Sequence, residues 1–240
     1  MAIIEQSIQY FDQDKRCIGH LVYDDTFYKK KPCVLINHAW GGLDQFSKNK
    51  ALEISKHGYI GFCLDNYGEG YEPISLEEKQ NTMTPLKEDR GKLLNRLLAG
   101  VEKAKSIDIV DIENIATLGF CFGGLCALDI ARSGIDIKAA VSFHGLLDAP
   151  NLSKNKIKAK ILIAHGWNDP MATPKDVLSL SKELTEDGCD WQLHAYGQTT
   201  HAFMVPGADS GDGVLKHSMI NEKRAWHSAL ELIKSSFNEK

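Results

Sequence analysis

Gly119-Phe120-Cys121-Phe122-Gly123-Gly124 is the stretch that decides the reading of this chain. It stands between an apolar run at 115–119, which reads as a buried strand, and a segment at 125–132 with helical period that stops before Gly134. In that setting G-x-C-x-G is the cysteine version of the nucleophile elbow. Such an elbow is a tight strand-to-helix turn that strains its central residue and projects that side chain from the end of the sheet. The flanking glycines are needed because neighbouring backbone passes too close for a Cβ. The helix that follows aims its first N–H groups at the turn, which favours a thiolate and a developing oxyanion. Cys121 is therefore the candidate nucleophile.

Working outward, short apolar segments at 33–37, 59–64, 138–143 and 159–164 read as further buried strands, with 190–196 nearer a sheet edge. Helical periods separate them at 45–57, 86–104, 174–187 and 214–237. Strands that are apolar without alternation, joined by helices, are the pattern of a parallel sheet covered on both faces. Segments 3–9 and 19–23 flank the polar Asp12-Gln13-Asp14-Lys15 and predict an antiparallel hairpin at one edge. No repeat, linker or low-complexity tract divides the chain, so a single α/β domain over 1–240 is expected. The polar segment 66–90, with Gly68, Gly70, Pro73 and Pro85, reads as an excursion over the carboxyl ends of the strands, where open α/β sheets bind ligands.

The 240 residues carry 28 Lys and Arg against 32 Asp and Glu, a net charge of −4 with no basic footprint for nucleic acid. No apolar run reaches the ~18 residues of a membrane helix. The first residues lack the basic and apolar regions of a secretion signal, so a reducing cytoplasm is expected. The six cysteines, Cys17, Cys33, Cys63, Cys121, Cys126 and Cys189, form no CxxC pair and fit neither a disulfide scaffold nor a zinc module. Five of them read as packing residues. Asp209 and Asp212 resemble a metal loop only superficially, lacking further ligands, and no metal or cofactor is implied.

After an elbow the partners follow in the order acid, then base. His165-Gly166-Trp167-Asn168-Asp169-Pro170 comes directly after the fifth of these buried strands and places Asp169 on a carboxyl-end loop. Among nine histidines, His201 alone stands in a loop after both Cys121 and Asp169, within Thr199-Thr200-His201-Ala202-Phe203. His144 also ends a strand, but it precedes Asp169 and breaks the order.

His38-Ala39-Trp40-Gly41-Gly42-Leu43-Asp44, Asp65-Asn66-Tyr67-Gly68-Glu69-Gly70, the elbow, His165 to Asp169 and Thr200-His201-Ala202-Phe203, in that order, resemble the dienelactone hydrolase family. The resemblance implies the α/β-hydrolase fold, a Cys121–His201–Asp169 triad, and an oxyanion hole formed by the backbone N–H groups of Phe122 and Trp40. Candidate substrate contacts are His38, Arg90, Phe203 and Val205. The family commonly has Glu where this chain has Ala39, and an arginine where it has Val205, so the thiolate is expected to rest on His201, the helix N-terminus or His38. Arg90 and Lys79 in the excursion are the candidates to replace that arginine, and the apolar Val205 argues against a dienelactone as the substrate. The implied activity is hydrolysis of a small carboxylic ester or lactone through an acyl-thioester, in a monomer or homodimer without nucleic-acid or membrane partners. The alternative is a non-catalytic ligand-binding or redox-sensing member of the fold.

Overall fold

The computed structural model describes residues 2–26, 29–153 and 155–238. These form two compact units, Met1–Thr117 and Leu118–Lys240. The first holds β1 (Ile3–Asp12), β2 (Lys15–Asp24), β3 (Lys31–Asn37), α1 (Gln45–Ser55), β4 (Ile60–Leu64), α2 (Leu76–Glu88), α3 (Arg90–Lys105) and most of β5 (Val110–Phe120). The second holds the end of β5, α4 (Phe122–Arg132), β6 (Ala139–Phe143), β7 (Lys160–Gly166), α5 (Pro174–Asp187), β8 (Trp191–Tyr196) and α6 (Met219–Asn238). Strand order among the described residues is β1-β2-β4-β3-β5-β6-β7-β8 in a mixed, mostly parallel sheet. β3 pairs with β4, and β6 with β7 and β7 with β8, in parallel, whereas β1–β2 and β2–β4 are antiparallel. The α/β class and the edge hairpin expected above are both present.

The pleat explains how helices cover two faces in each unit, because successive residues of a strand point to opposite sides. In the first unit, Gly61 on β4 lies under α1: a Cβ there would come within 2.6 Å of the Ala51 carbonyl oxygen. Leu64, on the opposite face of the same strand, lies against Gly100 of α3. In the second unit, Ser142 of β6 faces Gly124 of α4, while the next residue, Phe143, meets Trp226 of α6 at a ring separation of 5.9 Å. Every residue of β4 and β6 is accordingly buried, which is why their sequences show no alternation.

Three boundaries differ from the sequence expectation. The predicted helix over 86–104 is two helices, because Asp89 leaves the helical region (φ −102°, ψ 78°) and caps α3 through Lys92 N. The excursion contains α2, which begins with a capping box at Ser75 and Glu78 and buries only Leu86. The final helix begins at Met219 instead of 214, since residues 214–216 pair with backbone at His201. α5 follows its sequence signals closely, with Pro174 in its first turn, a Thr173–Asp176 capping box and Gly188 at φ 73° as its stop.

In the first unit the end of β1 is tied to α3 by an ion pair. Arg96 Nε donates to Asp12 Oδ2 at 2.7 Å and Nη1 to the Tyr67 carbonyl at 3.0 Å, with side-chain exposures of 4% for Arg96 and 11% for Asp12. Removing one partner of a buried pair leaves an uncompensated charge. Asp12→Ala is expected to cost about 3 kcal/mol in urea unfolding; a loss below about 1 kcal/mol would contradict this role for the pair.

Candidate active site

The elbow has the strain its sequence predicts. Cys121 adopts φ 54°, ψ −116°, a conformation that a residue with a Cβ rarely holds unless its surroundings impose it. The imposition is visible in its neighbours. A Cβ on Gly119 would lie 1.9 Å from the Gly123 carbonyl oxygen, so the chain can double back on itself only with glycine there. Cys121 N–H donates to the Phe143 carbonyl at 3.0 Å, and the Cys121 carbonyl accepts from Gly124 N at 2.9 Å and Leu146 N at 3.3 Å. Both sides of the residue are thus held, by β6 and by the first turn of α4. Phe122 opens α4, and the first N–H groups of a helix have no carbonyl within the helix to serve.

Asp169 and His201 come together in the same unit. His201 Nδ1 and Asp169 Oδ2 are 2.7 Å apart, with side-chain exposures of 2% and 0%. Asp169 Oδ1 accepts from Met171 N at 2.8 Å, so both carboxylate oxygens are engaged and the group is fixed. The loop that carries His201 passes directly over Gly166, where a Cβ would meet the Thr199 and Thr200 carbonyls at 2.6 and 2.7 Å. His201 is further clamped by backbone, its N–H donating to Val214 O at 3.1 Å and its carbonyl accepting from Lys216 N at 3.0 Å. Burial by itself works against charge on this ring, but the charge on Cys121 and the hydrogen bond and charge of Asp169 outweigh it, raising the pKa to about 10. Cys121 is thus the foremost influence favouring charge on His201, ahead of Asp169.

The remaining cysteines sit differently. Cys17, Cys33, Cys63 and Cys126 are buried, and no disulfide joins any of the six among the described residues. Burial pushes the Cys33 and Cys63 thiols far up and the Cys17 thiol to about 11, and burial with nearby Asp187 raises Cys189 to about 11.

The other predicted site residues separate by unit. Phe203 is fully buried against Tyr196 and His144, which makes it support for the site and removes it as a surface for a ligand. Val205 is half-buried in the turn that follows, its N–H donating to Ala202 O at 2.9 Å. His38, Trp40, Lys79 and Arg90 belong to the first unit. There His38 spends both ring nitrogens on backbone: Nε2 accepts from Asn66 N at 3.1 Å and Nδ1 lies 2.6 Å from Ala39 O. Burial lowers its pKa against the raising effect of the Ala39 carbonyl, and the ring serves as a pin beside Tyr67. Trp40 receives the Tyr67 hydroxyl on its carbonyl at 3.0 Å, and Lys79 Nζ stands 5.9 Å above its ring. Arg90 is buried at the start of α3. Sequence order passed over His144, which stands at the end of β6 in the segment that bonds Cys121 from both sides.

This arrangement, a strained cysteine at a strand-to-helix turn with a histidine–carboxylate pair on later loops of a mostly parallel sheet, defines an α/β hydrolase. Residues 19–237 match the dienelactone hydrolase family, and the chain belongs to it. A Bradyrhizobium protein named "Probable 2-oxo-3-(5-oxofuran-2-ylidene)propanoate lactonase" is 27% identical over 210 residues, covering 83% of this chain and 82% of that one. Among solved structures, one named m3DLH superposes with a TM-score of 0.94 at 29% identity, covering 99% of this chain and all of the other. Another, described as a dienelactone hydrolase-like promiscuous phosphotriesterase, P91, from metagenomic libraries, gives 0.93 at 27% identity over 99% and 100%. The chain is an enzyme of the lactone and ester hydrolase class. Among the described residues no cluster of His, Cys, Asp and Glu is placed to hold a metal ion, and no helix is long and apolar enough to cross a membrane.

Because the charge on Cys121 is the foremost influence raising His201, Cys121→Ala is expected to lower its pKa. Nitrogen-resolved NMR of the imidazoles at pH 9 should find His201 charged in the wild type, where its pKa is about 10, and neutral in Cys121→Ala. An unchanged titration in the variant would contradict the charge pairing.

Proposed function

We propose that this hydrolase cleaves small carboxylic esters or lactones with Cys121 as nucleophile, His201 as proton carrier and Asp169 as the group that orients and stabilises it. The observation that supports this most directly is the 2.7 Å contact of His201 Nδ1 with Asp169 Oδ2, in the same unit as the strained Cys121 elbow. The carboxylate fixes the tautomer, leaving Nε2 for chemistry. Cys121 Sγ attacks the carbonyl carbon, the tetrahedral oxyanion is met by the Phe122 N–H at the start of α4, and His201 delivers its proton to the leaving oxygen. A water then attacks the acyl-thioester and gives its proton to His201, and the carbon–sulfur bond breaks to release the acid.

Ala39 bears on activation. The family's glutamate is missing here, and His38 has no nitrogen to offer, since both serve backbone. The resting proton therefore goes to His201, in line with its raised pKa. Val205, apolar where the family has its carboxylate-binding arginine, favours uncharged esters and lactones over substrates bearing a carboxylate. The lactonase name of the Bradyrhizobium relative is in keeping with a lactone as one substrate form. Free thiols throughout suit a reducing cytoplasm.

Wild-type protein should hydrolyse p-nitrophenyl acetate and small uncharged lactones. Cys121→Ala and His201→Ala should each lower kcat/KM by about 10³-fold or more, and Asp169→Asn by about 10²–10⁴-fold. Retention of the rate in Cys121→Ala would overturn the assignment. Absence of turnover together with rapid oxidation of Cys121 by peroxide would move the protein to the sensing alternative.

A further inference from the structure

His144 is the buried group that this mechanism leaves unused. It follows β6, is 1% exposed, and has backbone φ 37°, in the left-handed region that a non-glycine residue enters only under constraint. Its position is set by the elbow. Phe143 O accepts from Cys121 N, and Leu146 N donates to Cys121 O, so the segment carrying His144 is hydrogen-bonded to both sides of the nucleophile. Its ring stands edge to face with His201 at 5.0 Å and with Phe203 at 5.5 Å, and tilted against Phe120 at 6.2 Å.

Within this cage of rings Nδ1 and Nε2 both lack a hydrogen-bond partner among the described residues. A phenylalanine would fill the same space without burying two polar atoms, so packing alone does not account for a histidine. His201 Nε2, the nitrogen that Asp169 does not hold, is buried on the side that interacts with Cys121. Burial, and then the nearby charge of His201, push the His144 pKa well below the usual imidazole range. The ring is neutral beside its charged neighbour, with one N–H to donate and one lone pair to accept.

The proposed reaction has one participant that needs such a partner. Water attacking the acyl-thioester must hold a hydrogen bond to His201 Nε2, and a buried water is held in place by about three hydrogen bonds. We propose that His144 positions this water, providing the hydrogen bond that orients it toward the acyl carbon while His201 takes its proton. This rests on the Cys121–His201–Asp169 reading. The step balances: the water oxygen bonds to the acyl carbon, its proton passes to His201 Nε2, the carbon–sulfur bond breaks, and the sulfur leaves as thiolate paired with imidazolium. Thiolate attack, which precedes the water, does not call on His144.

The test is His144→Phe, which keeps an aromatic ring and removes both nitrogens, alongside His144→Gln. With p-nitrophenyl acetate, the Phe variant should release one equivalent of nitrophenolate per active site in a burst. Its steady state should then be at least tenfold slower than wild type, with KM lowered in proportion, so that kcat/KM, which reports acylation, stays within about twofold. The Gln variant, able to hydrogen-bond, should regain part of kcat. The thermal midpoint of the Phe variant should equal or exceed that of wild type. Unchanged kcat, or kcat and kcat/KM falling together without a burst, would overturn the role, as would Gln failing to exceed Phe. Wild-type turnover that survives Cys121→Ala would instead overturn the underlying triad reading.

Discussion

The left-handed backbone at Cys121, φ 54°, is the constraint on which the rest of the second unit depends. A strained residue persists only where its surroundings over-determine it, and here each determinant can be named. Gly119 allows the Gly123 carbonyl to within 1.9 Å of where a Cβ would stand, and the Phe143 carbonyl and Leu146 amide bracket the Cys121 peptide groups. The same contacts hold the end of β6 against the elbow, where His144, its N–H donating to Ala164 O at 2.9 Å, sits at φ 37° with its ring against His201. Strain at one position thus organises three side chains.

Electrostatics complete what the backbone begins. His201 is nearly enclosed, and burial alone would leave it neutral. Asp169, held through both oxygens, and the charge on Cys121 reverse that preference. Both Cys121 and Asp169 thus favour the proton on His201. His38, adjacent in sequence to Ala39, is a structural pin between the Asn66 amide and the Ala39 carbonyl.

Much of this was legible in the sequence because local signals and tertiary demands agree. β4 and β6 are apolar without alternation because helices cover both of their faces, and α5 carries its own start and stop signals. The elbow, and the pairing of Asp169 with His201, followed from one short motif and a rule of chain order. What escaped had no local signature. α2 buries only Leu86 and so shows no apolar stripe, and the break at Asp89 reflects a backbone rotation rather than a proline or glycine. Residues 214–216 look like the start of a helix, yet they are spent on the His201 backbone. Phe203 and His144 illustrate the same limit. Neither the full burial of one nor the ring contact of the other with His201 can be read from residue type or spacing, since both arise from loops joined only through the sheet.

The central claim is that Cys121 forms the covalent bond to substrate. Acid quenching during turnover of p-nitrophenyl acetate, followed by peptide mass spectrometry, tests it directly. An acetyl mass increment on the peptide containing Cys121, absent once substrate is exhausted, is the predicted result. Sustained turnover with no adduct on that peptide at any time, or with the adduct on another residue, would contradict it.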